Sequence, residues 1–219
     1  MSVYPSDHIP NDAPIGGKAR NLLELQSAGL NVPKWCVVPS EDLSQLLPDF
    51  VRSAQDYNAV RQAIEKTELP SQIVNDIIGL FPGVEYFAVR SSALDEDGSS
   101  FSFAGQFESH LYVPVDDLLN RVKRVWLSAY SERVFAYRSA NGLGPSQGIA
   151  VIVQEMVPAD VAGVAFGVNP VTGDRRACVV SAVYGLGEGL VSGELDADTY
   201  IVKDLNIERT IIKKEYTFV

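Results

Sequence analysis

The sequence predicts an α+β protein in two parts: a helix-rich first part over residues 1–148 and a mainly antiparallel, strand-rich second part over residues 149–219. In the first part apolar residues recur at helical spacing in one segment after another. After "NGLGPSQG" the apolar runs shorten and are separated by turn sequences such as Asn169-Pro170 and Thr172-Gly173-Asp174. A chain of 219 residues can also bury a substantial core as one large domain or two lobes, since domains run at roughly 100–200 residues.

Taken in order, Leu22, Leu23, Leu25 and Ala28 set a helix over 17–28, with Gly29 placed to end it. "VPKWCVVP" reads as a strand closed by Pro39, and helices are predicted over 43–50, 57–64 and 71–80. "EYFAVR" is a strand running into the long stretch "VRSSALDEDGSSFSFAGQFES", and "SHLYV" is a strand leaving it. About twenty residues exceed the usual length of a structureless connection, which marks the stretch as disordered or functional. Asp116 can cap one long helix with the apolar face Leu118, Leu119, Val122, Val125, Trp126, Ala129 and Tyr130, ending near Asn141-Gly142. "IAVIVQEMV" is apolar at both parities over 149–153, as in a strand covered on both faces. "VAGVAFGV", "ACVVSAVYG", "TYIVKDL" and "ERTIIKKEYTF" complete the strands.

Composition narrows the function classes. Lys+Arg 18 against Asp+Glu 28 gives a formal charge of -10, a field that repels a phosphate backbone, so no nucleic-acid partner is expected. The apolar runs are too short and too interrupted for a membrane span, and "MSVYPSDHIPNDAP" lacks the basic start and apolar core of a signal peptide; a cytoplasmic protein without membrane partners is expected. Cys36 and Cys178 are too few for a disulfide framework and lie at no metal-ligand spacing, so both are read as small hydrophobes.

Four constellations can carry chemistry. In "IGGKARNL" two glycines precede Lys18 at a helix start, where backbone N–H groups and the ammonium suit a phosphate; a plain glycine turn with a solvated lysine is the alternative. Arg90 ends a strand beside the hydroxyl-rich stretch, and its fork of donors also suits phosphate oxygens. Asp95, Glu96 and Asp97 would repel a nucleotide unless they pair with Arg or Lys or help to hold a metal, and the alternative is an acidic solvated loop paired with the arginine. In "VIVQEMVP", Gln154 and Glu155 end an apolar strand, a setting that suits an adenine edge as well as a strand reaching solvent. Glu188, Glu194, Asp196 and Asp198 in "YGLGEGLVSGELDADTY" supply oxygen ligands of the kind Mg²⁺ takes. Neither His8 nor His110 sits in a Ser-His-Asp arrangement, and His110 reads as a partly buried strand residue.

The order of these elements is more specific than any one of them. "GGKARNLLELQSAGLNVPKWCVV", "FAVRSSALDEDGSSFSFAGQFESHLYV", "VQEMVPADVAGVAFGVNPVTGD" and "YGLGEGLVSGELDADTYIV" together resemble the N-terminal nucleotide-binding domain of the phosphoenolpyruvate synthase and pyruvate phosphate dikinase family, over nearly the whole chain. The resemblance implies an ATP-grasp fold, with two α+β lobes holding ATP between them. It places Lys18 and Arg90 on the phosphates, Arg90 being the catalytic candidate. Gly105, Gln106 and Ser109 would belong to the phosphate-covering loop, Ser109 standing where these enzymes often have threonine. Gln154, Glu155 and Val157 would line the adenine pocket. The implied reaction is phosphorylation of a histidine on a separate phosphohistidine domain, followed by transfer to pyruvate on a third domain.

The family's metal-binding glutamate and following Gln-x-Arg are not found: no glutamine follows Gln154. The ligands for Mg²⁺ are therefore expected beyond residue 219, and this chain alone is expected to bind ATP weakly and turn it over negligibly. The alternatives are a rifampicin-phosphotransferase-type kinase domain, or a non-catalytic nucleotide-binding module or subunit completed by another chain.

Overall fold

Two antiparallel sheets organise the chain in a computed structural model that describes residues 2–48, 56–95, 103, 105–144, 146, 148–204 and 206–213. They belong to two compact units, Met1–Met156 and Val157–Val219. The predicted α+β class is observed, with mixed helices and antiparallel sheets.

In the first unit the sheet order is β1-β2-β5-β3-β4, with β1 at Tyr4–Pro5, β2 at Trp35–Val38, β3 at Tyr86–Ala93, β4 at Ser109–Pro114 and β5 at Ile149–Glu155. β5 pairs with β2 on one side and β3 on the other, and Ile149, Ala150, Val151, Ile152 and Val153 are all fully buried. This is the strand covered on both faces that its unbroken apolar run predicts. One face, with Cys36, Val38, Phe87, Val89, Val151 and Val153, packs against four helices: α2 (Ser40–Gln45), α3 (Tyr57–Lys66), α4 (Gln72–Leu80) and α5 (Leu118–Ser128). The other face, with Trp35, Val37, Ala150 and Ile152, packs against Ile15 and against Ala19 of α1 (Gly16–Ser27). Leu118, Val122, Val125 and Trp126 bring the apolar stripe of α5 onto the larger core, and each such burial stabilises by about 1.5–3 kcal/mol.

Because β5 is hydrogen-bonded inside this sheet, the first unit runs to Met156 rather than ending at 148. The change from helix-rich to strand-rich sequence near Gly148 marks composition, whereas the hydrogen-bond ladder decides membership. Likewise, the one long helix expected from Asp116 to Asn141 is a 3-10 turn (Val115–Asp117), α5, and a separate α6 (Glu132–Ala140). Ser131 breaks it: its backbone is extended, and its Oγ accepts the Val134 N–H at 3.3 Å as an N-cap. The helix expected over 43–50 is shifted toward the N-terminus: it starts at Ser40 after Pro39 and ends at Gln45, while residues 49–50 lie outside the described ones. Tyr4–Pro5, ahead of the first predicted element, pairs with Val37 and Cys36.

The second unit is a meander, β6 (Val161–Phe166), β7 (Ala177–Tyr184), β8 (Asp198–Lys203) and β9 (Asn206–Thr210), with a short α7 at Glu188–Val191. The β6–β7 turn forms as its Asn-Pro and Thr-Gly-Asp signals predict. Asn169 Oδ1 accepts the N–H groups of Val171 and Thr172, and Gly173 takes the left-handed φ of 71°. β9 is shorter than the run "ERTIIKKEYTF", whose last residues lie outside the described ones. Among the described residues no helix is long and apolar enough to cross a membrane.

Candidate functional site

The seam between α1 and β3 is set by glycine. Gly16 has a left-handed φ of 74°, and a Cβ there would lie 2.4 Å from the Ser92 carbonyl oxygen and 2.5 Å from that of Ala93. Only glycine permits so close a backbone approach. The Ala19 N–H, at the start of α1, donates to the buried Ser92 Oγ at 3.0 Å, which satisfies one of the first-turn donors that Ile15 leaves uncapped. One residue earlier, the half-buried Lys18 donates from Nζ to the Ser91 carbonyl at 2.8 Å, with Ser91 Oγ at 3.5 Å. In this structure Gly16 therefore serves the helix–strand contact, and it delivers Lys18 to the main chain beside Arg90.

Arg90 stands across β3 from Ile152 of β5 and from Ser109 of β4. Its Nη1 reaches Gln154 Oε1 at 3.5 Å, the long limit of a hydrogen bond, and Gln154 in turn donates from Nε2 to the Pro33 carbonyl at 3.1 Å. Gln154 is 7 % exposed, so a carboxamide expected near an adenine edge is largely inside the sheet and oriented by these two contacts. Glu155 is half-buried, its backbone N–H held by the Lys34 carbonyl at 2.8 Å. Ser109 is exposed on the edge strand. Val157 opens the second unit and is 48 % exposed.

Of the loop acids, Asp95 pairs with Arg138 of α6 at 2.6 Å. Glu96 and Asp97 lie outside the described residues, as does much of "GSSFSFA". Gly105 has a left-handed φ of 71° with open space where a Cβ would be. Gln106 donates its N–H to the Phe103 carbonyl at 3.0 Å and accepts at its own carbonyl from Arg133 of α6 at 2.6 Å, while its buried side-chain Oε1 has no hydrogen-bond partner among the described residues. Arg133 and Arg138 were not identified from the sequence. The available signal was Arg138 four residues after Val134, a cation where the buried helix stripe calls for an apolar residue.

The sequence-predicted residues thus fall into groups. Lys18, Arg90 and Gln154 share the α1–β3–β5 region, and Gly105 and Gln106 form a turn held by α6. Two cations and an open glycine turn fit a polyphosphate ligand in their chemistry. A metal set is a different matter: among the described residues no group of three or more His, Cys, Asp and Glu side chains is placed to hold an ion, so Glu188, Glu194, Asp196 and Asp198 do not gather into one. His110 sits half-buried with Nε2 3.1 Å from Glu108, and burial lowers its pKa while the Glu108 charge opposes this. Burial raises the Cys36 thiol pKa far above its usual range, leaving an inert small hydrophobe.

A lysine and an arginine at one helix–sheet seam are side chains suited to an anionic ligand such as a phosphate. Residues 13–219 match the family described as pyruvate phosphate dikinase, AMP/ATP-binding domain, and the chain belongs to that family. It is 33% identical to the phosphoenolpyruvate synthase of Pyrococcus furiosus, over 94% of this chain and 33% of that protein. It is 34% identical to the rifampicin phosphotransferase of Bacillus cereus (91% of this chain, 26% of that one) and 37% identical to the prodigiosin synthesizing transferase PigC of Serratia marcescens (86% and 22%). The chain spans a third or less of the length of these relatives.

Proposed function

We propose that this chain is the ATP-binding domain of a phosphoenolpyruvate-synthase-type kinase, built as an ATP-grasp fold. The observation that carries this is the convergence of Lys18 and Arg90: the ammonium is bound to the main chain of the residue next to the arginine, so two phosphate-suited cations lie at one seam. Lys18 and Arg90 bind and orient the phosphates, Arg90 facing the transferred group. Gly105, Gln106 and Ser109 cover them, while Gln154, Glu155 and Val157 receive the adenine, Glu155 accepting from its amine. ATP supplies the phosphoryl group, whose acceptor is a histidine on a phosphohistidine domain and then pyruvate on a further domain. Mg²⁺ has no ligand set among the described residues. Turnover by this chain alone is negligible in this reading, because phosphoryl transfer depends on positioning and charge neutralisation that other domains complete.

Titration calorimetry with ATP, followed by thermal unfolding with and without nucleotide, tests the proposal. ATP at 100 times its dissociation constant adds about 2.7 kcal/mol of stability. Lys18→Ala and Arg90→Ala each weaken binding by about tenfold or more, the size of a lost charged hydrogen bond. Unchanged titrations in both variants refute the phosphate assignments. The similarity to rifampicin phosphotransferase supports a second acceptor, and product analysis of the complete protein with pyruvate or rifampicin separates the two.

A further inference from the structure

We propose that α6, through Arg138 and Arg133, is the positioning element for the phosphate-binding turn at Gly105–Gln106. The inference rests on the ATP-binding reading of that turn. Arg138 is 5 % exposed and joins three separate stretches of chain. Its Nη1 lies 2.6 Å from Asp95 Oδ2, its Nε donates to the Gly144 carbonyl at 2.7 Å, and its guanidinium stands 5.5 Å from the centre of the Phe103 ring. Asp95 lies just past β3, the strand that carries Arg90, and the Leu94 N–H beside it is tied to the Gly148 carbonyl at 3.2 Å. Phe103 holds the other flank: its ring packs on Tyr137 of α6 at 5.2 Å and stacks on Phe107 at 5.5 Å, and its carbonyl accepts the Gln106 N–H. Arg133, one helical turn before Tyr137, grips the Gln106 carbonyl.

Burying an arginine and a carboxylate costs desolvation that their attraction scarcely recovers, so stability alone is a poor account of this pair. Its geometry does something a leucine cannot: the ion pair with Asp95 and the Nε–H bond to the Gly144 carbonyl tie those two stretches together through one planar group, with Phe103 on its face, and so register the turn against the end of β3. A lysine retains the charge but is a point donor, and cannot hold the carboxylate, the carbonyl and the ring at once. The helix thereby sets the separation between Arg90 and the Gly105–Gln106 turn, the two sides between which phosphates would lie.

The test compares wild type, Arg138→Lys and Arg133→Ala. The second substitution removes an exposed side chain and leaves the core intact, so it stays informative if the first fails to fold. Hydrogen exchange without ligand is read at the Gln106 amide relative to the Val151 amide of β5. The expected result is exchange about tenfold faster at Gln106 with Val151 unchanged, the mark of a local opening. Calorimetry then compares ATP with adenosine: ATP affinity drops about tenfold in each variant while adenosine affinity stays within about twofold, because only the phosphate side is misplaced. A merely structural role would lower both affinities together, and that result overturns the inference. So does an unchanged ATP-to-adenosine ratio in both variants. A wild-type chain that binds no ATP overturns the nucleotide reading, and the positioning role with it. Unaltered exchange at Gln106 shows separately that α6 does not hold the turn.

Discussion

Gly16→Ala would place a methyl carbon 2.4 Å from the Ser92 carbonyl oxygen, well inside the 3.0 Å that Cβ contacts keep, and both sides of the contact are backbone. Two costs add. A non-glycine residue at φ 74° costs about 1–2 kcal/mol, and forcing α1 and β3 apart is comparable to overpacking a core, about 1–3 kcal/mol. The loss is therefore about 2–5 kcal/mol, or roughly 10 °C in melting temperature for a unit of this size. Gly29→Ala isolates the first cost: its φ is 78°, but nothing lies within 4 Å of a Cβ, so the expected loss is only about 1–2 kcal/mol. Urea unfolding followed by tryptophan fluorescence is a suitable assay, because Trp35 and Trp126, the chain's 2 tryptophans, both lie in the first unit. Equal midpoints for the two variants, at equal slopes, would refute the claim that the α1–β3 contact requires glycine for space rather than for φ alone.

Further outcomes follow from the same structure. Ser92→Ala removes the hydroxyl that accepts the Ala19 N–H and should cost about 1–2 kcal/mol by the same unfolding assay, since the helix-start donor is left buried and unpaired. Trp126→Ala opens the larger core where α5 meets the sheet and should cost about 3–5 kcal/mol. In the second unit, the hydrogen bond from Lys203 and the Arg176 backbone N–H hold the Asp174 carboxyl down at about 2, against an ordinary 3.8. A depressed carboxylate stabilises the fold above its ordinary value and loses that contribution as pH falls from 3.8 toward 2. Carbon-detected NMR titration should find Asp174 near 2 in wild type and shifted upward in Lys203→Met; an unmoved titration would contradict the ion pair.

Much of the fold was legible because local rules and the final structure agree. Gly29 ends α1 where the apolar spacing stops, Asp56 caps α3 with its side chain on two N–H groups, and the turn at Asn169 forms where its residues demand it. Pattern was insufficient where a single capping residue competed with a continuing stripe, as at Ser131 between α5 and α6. It was also insufficient for β5, whose apolar run announces burial on both faces but does not say which strands cover its edges.

The candidate site divides along the same line. Residue types and their order indicate the phosphate-suited cations Lys18 and Arg90, the turn glycine Gly105 and the polar end of β5, because each of these is a property of a short segment. Position in space came from contacts between residues far apart in the chain: Gly16 against Ser92, Lys18 on Ser91, Gln154 between Arg90 and Pro33, and Arg138 on Asp95. No local propensity encodes such pairings. They arise when sheet register and helix packing bring distant groups within hydrogen-bond reach, and for that reason the role of Arg138 emerged only from the folded chain.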